Sequence, residues 1–182
     1  MIIIIDIFFS IILVIIFFPI ILIICLLIFI FDGLPIFYKP KRVGKNLKLF
    51  CIYKFRTMTN NTKKDEITFL GRILRRTSLD EIPQLLNVLK GDMSLVGPRP
   101  LPKDILNKIT PKKRLIRSSI KPGITGYTQI KYKGKKRTLG EKVNLDIFYV
   151  NKNNAWFYLS ILFITPMVLF KRFFFNKSGK TL

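Results

Sequence analysis

The sequence predicts an α+β, mainly helical, membrane-associated domain. Three observations carry that reading. Ile7 to Phe31 is an uninterrupted uncharged apolar tract, apolar residues recur at helical spacing in two later segments, and one segment alternates as a strand does. The apolar tract and the helical spacing, found in Glu66 to Arg76 and Leu79 to Lys90, make the class mainly helical, and the alternating segment adds the β component.

The apolar tract exceeds the roughly 20 residues that a helix needs to span a bilayer. A secretory signal fits poorly, because there is no basic leader and no small-residue cleavage site. Asp6 stands at its outer end and Pro19 near its middle. Proline removes one backbone donor and clashes with the preceding turn, so a kink or break is expected there. The cluster Lys39, Lys41, Arg42, Lys45 and Lys48 marks the following side as cytoplasmic. On these residues alone a spanning helix and a re-entrant one that returns to the same face are equally compatible. The domain organisation follows: a membrane element over 1–31 and one catalytic-sized domain over 32–182.

Within that domain, Leu47 to Arg56 places Leu47, Leu49, Cys51, Tyr53 and Phe55 on one parity and reads as a strand. Asn60 to Asp65 reads as a polar turn. From Glu66 to Arg76, Ile67, Leu70, Ile73 and Leu74 predict a helix, with Arg72, Arg75 and Arg76 at its end. A second helix is expected from Leu79 to about Lys90, stopped by Gly91. Lys121 to Gly126 reads as a turn-rich loop. The last apolar run, Ala155 to Phe170, contains Pro166; it is short for a span and is expected to lie in the interface or pack on the domain.

A formal charge of +22 calls for anionic partners: acidic lipid headgroups, a nucleotide diphosphate or nucleic acid. The bias toward Ile, Lys, Asn and Phe is what AT-rich coding writes, so not every lysine reads as a binding residue. There is no histidine, which excludes histidine general bases, phosphohistidine and His-ligated metals. Cys25 and Cys51 belong to no metal-binding spacing and are expected to be packed thiols. The absence of histidine leaves Asp, Glu, Lys, Tyr, Ser or Cys for any chemistry, and among these Asp80 and Glu81 are adjacent at a predicted helix start. Ser78 and Glu81 have capping-box spacing, so first-turn helix acids are the bland alternative. Against it, the chain has only 10 acidic residues beside 32 basic ones, Arg75 lies just upstream, and Arg99 stands between Pro98 and Pro100. Paired carboxylates beside arginines suit a divalent metal and a phosphoryl group.

Several runs occur in order: Pro35-Ile36-Phe37, Lys41-Arg42-Val43-Gly44, Lys54-Phe55-Arg56-Thr57-Met58, Thr77-Ser78-Leu79-Asp80-Glu81-Ile82-Pro83-Gln84-Leu85, Leu89 through Lys90-Gly91-Asp92 to Pro98-Arg99-Pro100, and Pro122-Gly123-Ile124-Thr125-Gly126. Together they resemble the monotopic phosphoglycosyl transferases, the bacterial sugar transferase family, from about Pro19 to Thr165. The chain resembles the smallest form of that family, with one membrane element. The resemblance implies that Asp80 is the nucleophile on a UDP-sugar, that Glu81 is its partner in holding Mg²⁺, and that polyprenol (undecaprenyl) phosphate is the acceptor. It implies phosphate or substrate binding by Arg75, Arg99, Lys54 and Arg56, leaves Asp146 as a further acidic position, and makes Pro19 the break of a re-entrant helix with both ends cytoplasmic. Expected with it are a bacterial inner-membrane location, anionic lipids and downstream glycosyltransferases as partners, and no nucleic acid.

The chain also departs from the family pattern. Pro40 replaces a glutamine, Ser118 a histidine and Tyr158 an aspartate, and Lys131 to Lys136 replaces an Asn-Gly-Arg-Asn run. Two other classes therefore stay open: a family member that has lost its chemistry and serves as a membrane scaffold, and a basic membrane-tethered nucleic-acid-binding protein, although no known binding module is present.

Overall fold

The computed structural model of the chain describes residues 1–59, 66–131, 137–152 and 154–175. The expected turn at Asn60 to Asp65 and the departing residues 132–136 lie outside them. Among the described residues the fold is mostly helical, with three separate two-stranded sheets.

Helix α1 runs Ile2–Phe31 as one element with Pro19 inside it, so the expected division into two helices at the proline is not found. It is long and apolar enough to cross a membrane and has no polar face, as a lipid-facing helix requires. Yet the domain holds it in both its first and its second half. Ile2, Ile5, Phe9, Leu13 and Val14 pack on the main core of Leu95, Val96, Tyr149, Tyr158 and Ile161. Ile21, Ile24, Cys25 and Ile28 pack on a second core with Phe55 and Leu74.

The predicted strand is two short ones. Strand β1 (Phe37–Tyr38) pairs antiparallel with β4 (Lys54–Phe55), and β2 (Lys41–Val43) with β3 (Leu49–Cys51). The cause of the division is Asn87, fully buried in the core. Its side chain donates to the Cys51 carbonyl at 2.8 Å and accepts from the Tyr53 amide at 2.9 Å, replacing ladder bonds at the junction. Parity changes there: Ile52 and Phe55 are buried, whereas Leu49 and Cys51 are exposed. The expectation of two packed thiols therefore fails at Cys51.

Helix α2 (Phe69–Thr77) starts later than expected, at the N-cap Thr68, whose hydroxyl accepts from the Gly71 amide. Ser78 then takes left-handed backbone (φ 60°, ψ 17°) and turns the chain sharply. The predicted second helix is a 3₁₀ turn over Leu79–Gln84 followed by α3 (Leu85–Leu89). Gly91, at φ 84°, stops it as expected.

The predicted loop at Lys121 to Gly126 contains a strand. Strand β6 (Gly123–Thr125) pairs in parallel with β5 (Ser94–Val96). A Cβ on Gly123 would sit 2.0 Å from the Gly97 nitrogen, and one on Gly126 would sit 2.2 Å from the Gly97 carbonyl oxygen. Only glycines allow the Gly97-Pro98-Arg99-Pro100 turn to press backbone to backbone on this strand. Helices α4 (Lys103–Asn107), α5 (Pro111–Arg117), α6 (Tyr127–Ile130) and α7 (Leu139–Asn151) close one side. Thr138 and Glu141 form a reciprocal capping box on α7. Helix α8 (Ala155–Phe175) packs Tyr158 and Ile161 into the core and leaves Trp156, Phe163, Met167 and Phe170 exposed. It is longer than the apolar run suggested, and it packs on the domain as expected.

Candidate active site

The sharp reversal at Ser78 decides where the two carboxylates point. The capping box expected between Ser78 and Glu81 is absent: the Ser78 side chain makes no cap bond, and a left-handed residue is not in N-cap geometry. Glu81 is thereby released from the helix end. Its Oε1 accepts from Lys54 Nζ at 2.7 Å and from Arg99 Nη2 at 2.6 Å. Lys54 arrives from β4 and Arg99 from the proline-flanked turn that the glycine contacts hold in place.

Asp80 is placed differently. It is buried, and its ion-pair partner is Lys54 at 3.6 Å, beyond hydrogen-bond length. No hydrogen bond to its side chain is made among the described residues. Burial pushes its carboxyl above the ordinary range and the negative Glu81 adds to that, while Lys54, Arg99 and Arg75 pull it back. Burial would raise Glu81 as well, but Arg99 and Lys54 outweigh it and bring its pKa down to about 2. Neighbouring carboxylates thus have opposed settings: one is tightly ion-paired, and the other is loosely held with an unbonded oxygen.

Arg75 donates its Nε to the Thr57 hydroxyl at 2.8 Å, so its side chain is fixed on α2 while its charge reaches Asp80. Asp146 is not at the dyad. It is buried in α7, where it accepts from Arg117 Nε at 2.8 Å and from the Thr128 hydroxyl at 2.6 Å. Arg117 in turn donates to the Arg99 carbonyl. Asp146 therefore acts behind the site, through Arg117 and the backbone that carries Arg99. Burial raises its pKa, and the Arg117 charge opposes the shift.

Arg56 is the correction among the expected phosphate-binding residues. Its guanidinium is buried against the end of α1, donating to the carbonyls of Asp32, Gly33 and Leu34. These carbonyls lie just past the last turn of α1, where a positive charge also complements the helix dipole, so Arg56 fastens the end of α1 to the segment that follows β4. It does not face the dyad. Strand alternation would place Arg56 on the same face as Lys54, but β4 ends at Phe55, so the alternation does not reach Arg56.

A cleft of about 170 Å³ opens beside Glu81, lined among others by Lys54, Arg42, Gln84, Arg99 and Gly123. Arg42 and Arg117 are site components that the sequence reading passed over. The proximity of Arg117 to the Pro-Gly-Ile-Thr-Gly run was its available signal. Asp6 was a second omission, noted only as an irregularity in the apolar tract. It is buried, and its Oδ1 accepts from the Ser94 hydroxyl at 3.0 Å, the Leu95 amide at 2.8 Å and the Tyr158 hydroxyl.

A bacterial sugar transferase family model matches residues 1–172. The chain belongs to the bacterial sugar transferase family. Similar curated proteins include the uncharacterized sugar transferase EpsL of Bacillus subtilis, 47% identical over 142 residues that cover 73% of this chain and 69% of that protein. The undecaprenyl-phosphate galactose phosphotransferase of Salmonella typhimurium is 39% identical over 166 residues, 78% of this chain and 34% of that protein. The UDP-glucose:undecaprenyl-phosphate glucose-1-phosphate transferase of Escherichia coli is 37% identical over 147 residues, 72% of this chain and 32% of that protein. The chain thus spans about a third of the length of these two phosphotransferases. In this sugar transferase, the runs that carry the resemblance are the ones that build the dyad, the Arg99 turn and the strand beneath it.

Proposed function

We propose that the chain is a phosphoglycosyl transferase that moves a sugar-1-phosphate from a UDP-sugar to polyprenol phosphate, the first membrane step of glycoconjugate assembly. The observation that carries this reading is the pairing of a cation-held Glu81 with a buried Asp80 whose carboxylate makes no hydrogen bond among the described residues, in a family with relatives named undecaprenyl-phosphate galactose phosphotransferase and UDP-glucose:undecaprenyl-phosphate glucose-1-phosphate transferase.

The chemistry divides into two displacements. A carboxylate oxygen of Asp80 attacks the β-phosphorus of the donor, the bond from that phosphorus to the bridging oxygen breaks, and UMP leaves with the electron pair. A phosphate oxygen of the acceptor then attacks the same phosphorus, and the phosphorus–oxygen bond to Asp80 breaks, restoring the carboxylate and giving polyprenol-diphosphate-sugar. Lys54, Arg99 and Arg75 supply positive charge where two anionic substrates must meet an anionic nucleophile. Burial leaves Asp80 itself poorly solvated, which strengthens its interactions with those charges.

Mg²⁺ belongs to the proposal. Adjacent carboxylates with uncommitted oxygens fit an ion that takes one or two carboxylates and completes its shell with water and substrate phosphates. Asp80 and Glu81 would hold the ion, and bound there it would screen the diphosphate charge.

We also assign both ends of α1 to the cytoplasmic face of a bacterial inner membrane. A helix crossing the bilayer would carry Asp6 about 30 Å from the domain. Asp6 is instead bonded to β5 and α8, while Ile24 and Ile28 pack at the other end. The domain contacts thus support a helix whose two ends stay on one side of the membrane, with exposed apolar residues of α1 and α8 facing lipid and basic residues toward anionic headgroups.

The test is UMP release by the full chain reconstituted in lipid, with Mg²⁺, a panel of UDP-sugars and polyprenol phosphate. Release that requires Asp80 is the expected result. A folded protein that releases nothing across the panel, or an Asp80→Asn variant as active as the native chain, would overturn the reading.

A further inference from the structure

A groove of about 440 Å³ lies between the end of α2 and the later turns of α8, within the roughly 300–1,000 Å³ range of small-molecule sites. Leu79, Pro166, Leu169 and Phe170 give it mainly apolar walls, and Arg76 and Ser78 line it as well. It shares no lining residue with the polar cleft at Lys54, Glu81 and Arg99. The two hollows are linked by the turn that carries Asp80, since Ser78 and Leu79 directly precede it. They have opposite chemistry, one charged and one apolar.

We propose that this groove holds the isoprenoid chain of the lipid acceptor next to its phosphate, while the charged cleft takes the nucleotide sugar. The inference rests on the transferase reading above. Three observations select this occupant. The acceptor joins an anionic head to a hydrocarbon tail, and the groove combines apolar walls with the basic end of α2 at Arg75 and Arg76. The same helices carry exposed Phe69 and Ile73 on α2 and Phe163 and Met167 on α8, so a tail leaving the groove meets surface suited to lipid. Its position beside Leu79 brings the head of a bound lipid toward Asp80 without displacing the donor's cleft. Binding the tail beside the nucleophile would also hold water off the phosphosugar between the two displacements.

The test uses the full chain in phosphatidylcholine nanodiscs and has two arms. In the first, an isoprenyl phosphate with a photoreactive group in its first units is cross-linked to the Asp80→Asn protein and the adducts are mapped. Labelling of Leu79 or of Pro166 to Phe170, suppressed by unlabelled polyprenol phosphate, is the expected result. Adducts confined to α1, or equal suppression by phosphatidylglycerol, would overturn the proposal, the latter marking a general lipid site. In the second arm, Leu169→Trp fills the groove and is expected to raise the acceptor KM at least tenfold while changing the UDP-sugar KM less than twofold, with Trp156→Ala as a surface control on the same helix. An acceptor KM unchanged in a folded Leu169→Trp protein would overturn it. Absence of any Asp80-dependent UMP release from the native chain would refute the transferase reading separately, leaving the cross-linking arm to decide the groove.

Discussion

Two carboxylates in this chain, the half-buried Glu81 and the buried Asp6, are satisfied in opposite ways. Glu81 is held by two cations, Lys54 and Arg99, at 2.7 and 2.6 Å. Asp6 is held by neutral donors: a serine hydroxyl, a backbone amide and the Tyr158 phenol. Burial and the bond to Asp6 push the Tyr158 pKa far above the ordinary phenol range, so the phenol keeps its proton and donates it. Cations around Glu81 leave positive charge beside Asp80, the proposed nucleophile. Neutral donors around Asp6 fix a helix without creating a field that attracts substrate. Charge type, more than burial, separates the reactive region from the structural one.

The sharpest way to break the comparison is to remove one oxygen's charge from each region. Asp80→Asn is expected to reduce turnover on the order of 10³-fold or more, because a carboxamide cannot serve as the displaced nucleophile. Asp6→Asn is expected to retain most of the turnover of correctly folded protein, since its role is to hold α1. Parallel UMP-release assays on both variants decide this. Comparable losses at equal folded fraction would show that Asp6 participates in the chemistry.

The next effect concerns the lysine that touches both acids of the dyad. Lys54→Met removes a charge that lowers the pKa of Asp80, so that pKa rises further and the nucleophile is protonated at higher pH. The acid limb of the pH–rate profile is expected to move upward, with a loss of about 10- to 100-fold near neutrality, in the range of an electrostatic contact on a transferring phosphoryl group. An unmoved limb would mean that Asp80 does not set it.

Asp146→Asn is expected to act less, about tenfold, and through Arg99. It weakens the bond that orients Arg117, whose other donor holds the Arg99 carbonyl. The UDP-sugar KM is therefore expected to rise while the Asp80-dependent pH limb stays in place. A shifted limb with unchanged KM would place Asp146 in direct contact with the dyad.

How much of this was legible depends on the range of the interaction concerned. The dyad, Arg99 and the Gly91 stop were readable because motif and local chemistry act over a few residues. The broken strand was not, because Asn87, far along the chain, makes the bonds that divide it at Cys51 and Tyr53. Ser78 and Glu81 have the spacing of a capping box, yet the left-handed turn at Ser78 and the ion pairs from β4 and the Arg99 turn take Glu81 elsewhere. Arg56 was misplaced for the same reason: its partners are the carbonyls at Asp32 to Leu34, brought near by tertiary packing. Asp6 looked like an interruption of a membrane tract, and its donors come from the far half of the sequence.

Asp6→Leu tests the structural half of the comparison through stability. It would leave the Ser94 hydroxyl, the Leu95 amide and the Tyr158 hydroxyl without their common acceptor, at about 1–3 kcal/mol for each buried donor that finds no other partner. A lower melting temperature and easier proteolysis near the start of α1 are expected. Unchanged melting would show that apolar packing of Ile2, Ile5 and Phe9 suffices to hold the helix.

The smallest expected effect is the acid response of the Glu81 ion pairs. The folded-state pKa is about 2, against the ordinary 4.5. Native Glu81 therefore holds its proton more weakly than the unfolded chain does. Its contribution is complete above pH 4.5 and is lost as pH falls through 4.5 toward 2, with a ceiling of about 3 kcal/mol from the size of the shift. Asp80 and Asp146, whose pKa values are raised, work in the opposite sense, taking up protons more readily in the folded state and offsetting part of the loss. Melting temperature measured between pH 5 and 3 is thus expected to fall less steeply for Glu81→Gln than for the native chain, since the variant has no such contribution to lose. Identical slopes would mean that Lys54 and Arg99 do not stabilise the ionised form, and the distinction between a cation-held and a neutrally held carboxylate would then fail at Glu81.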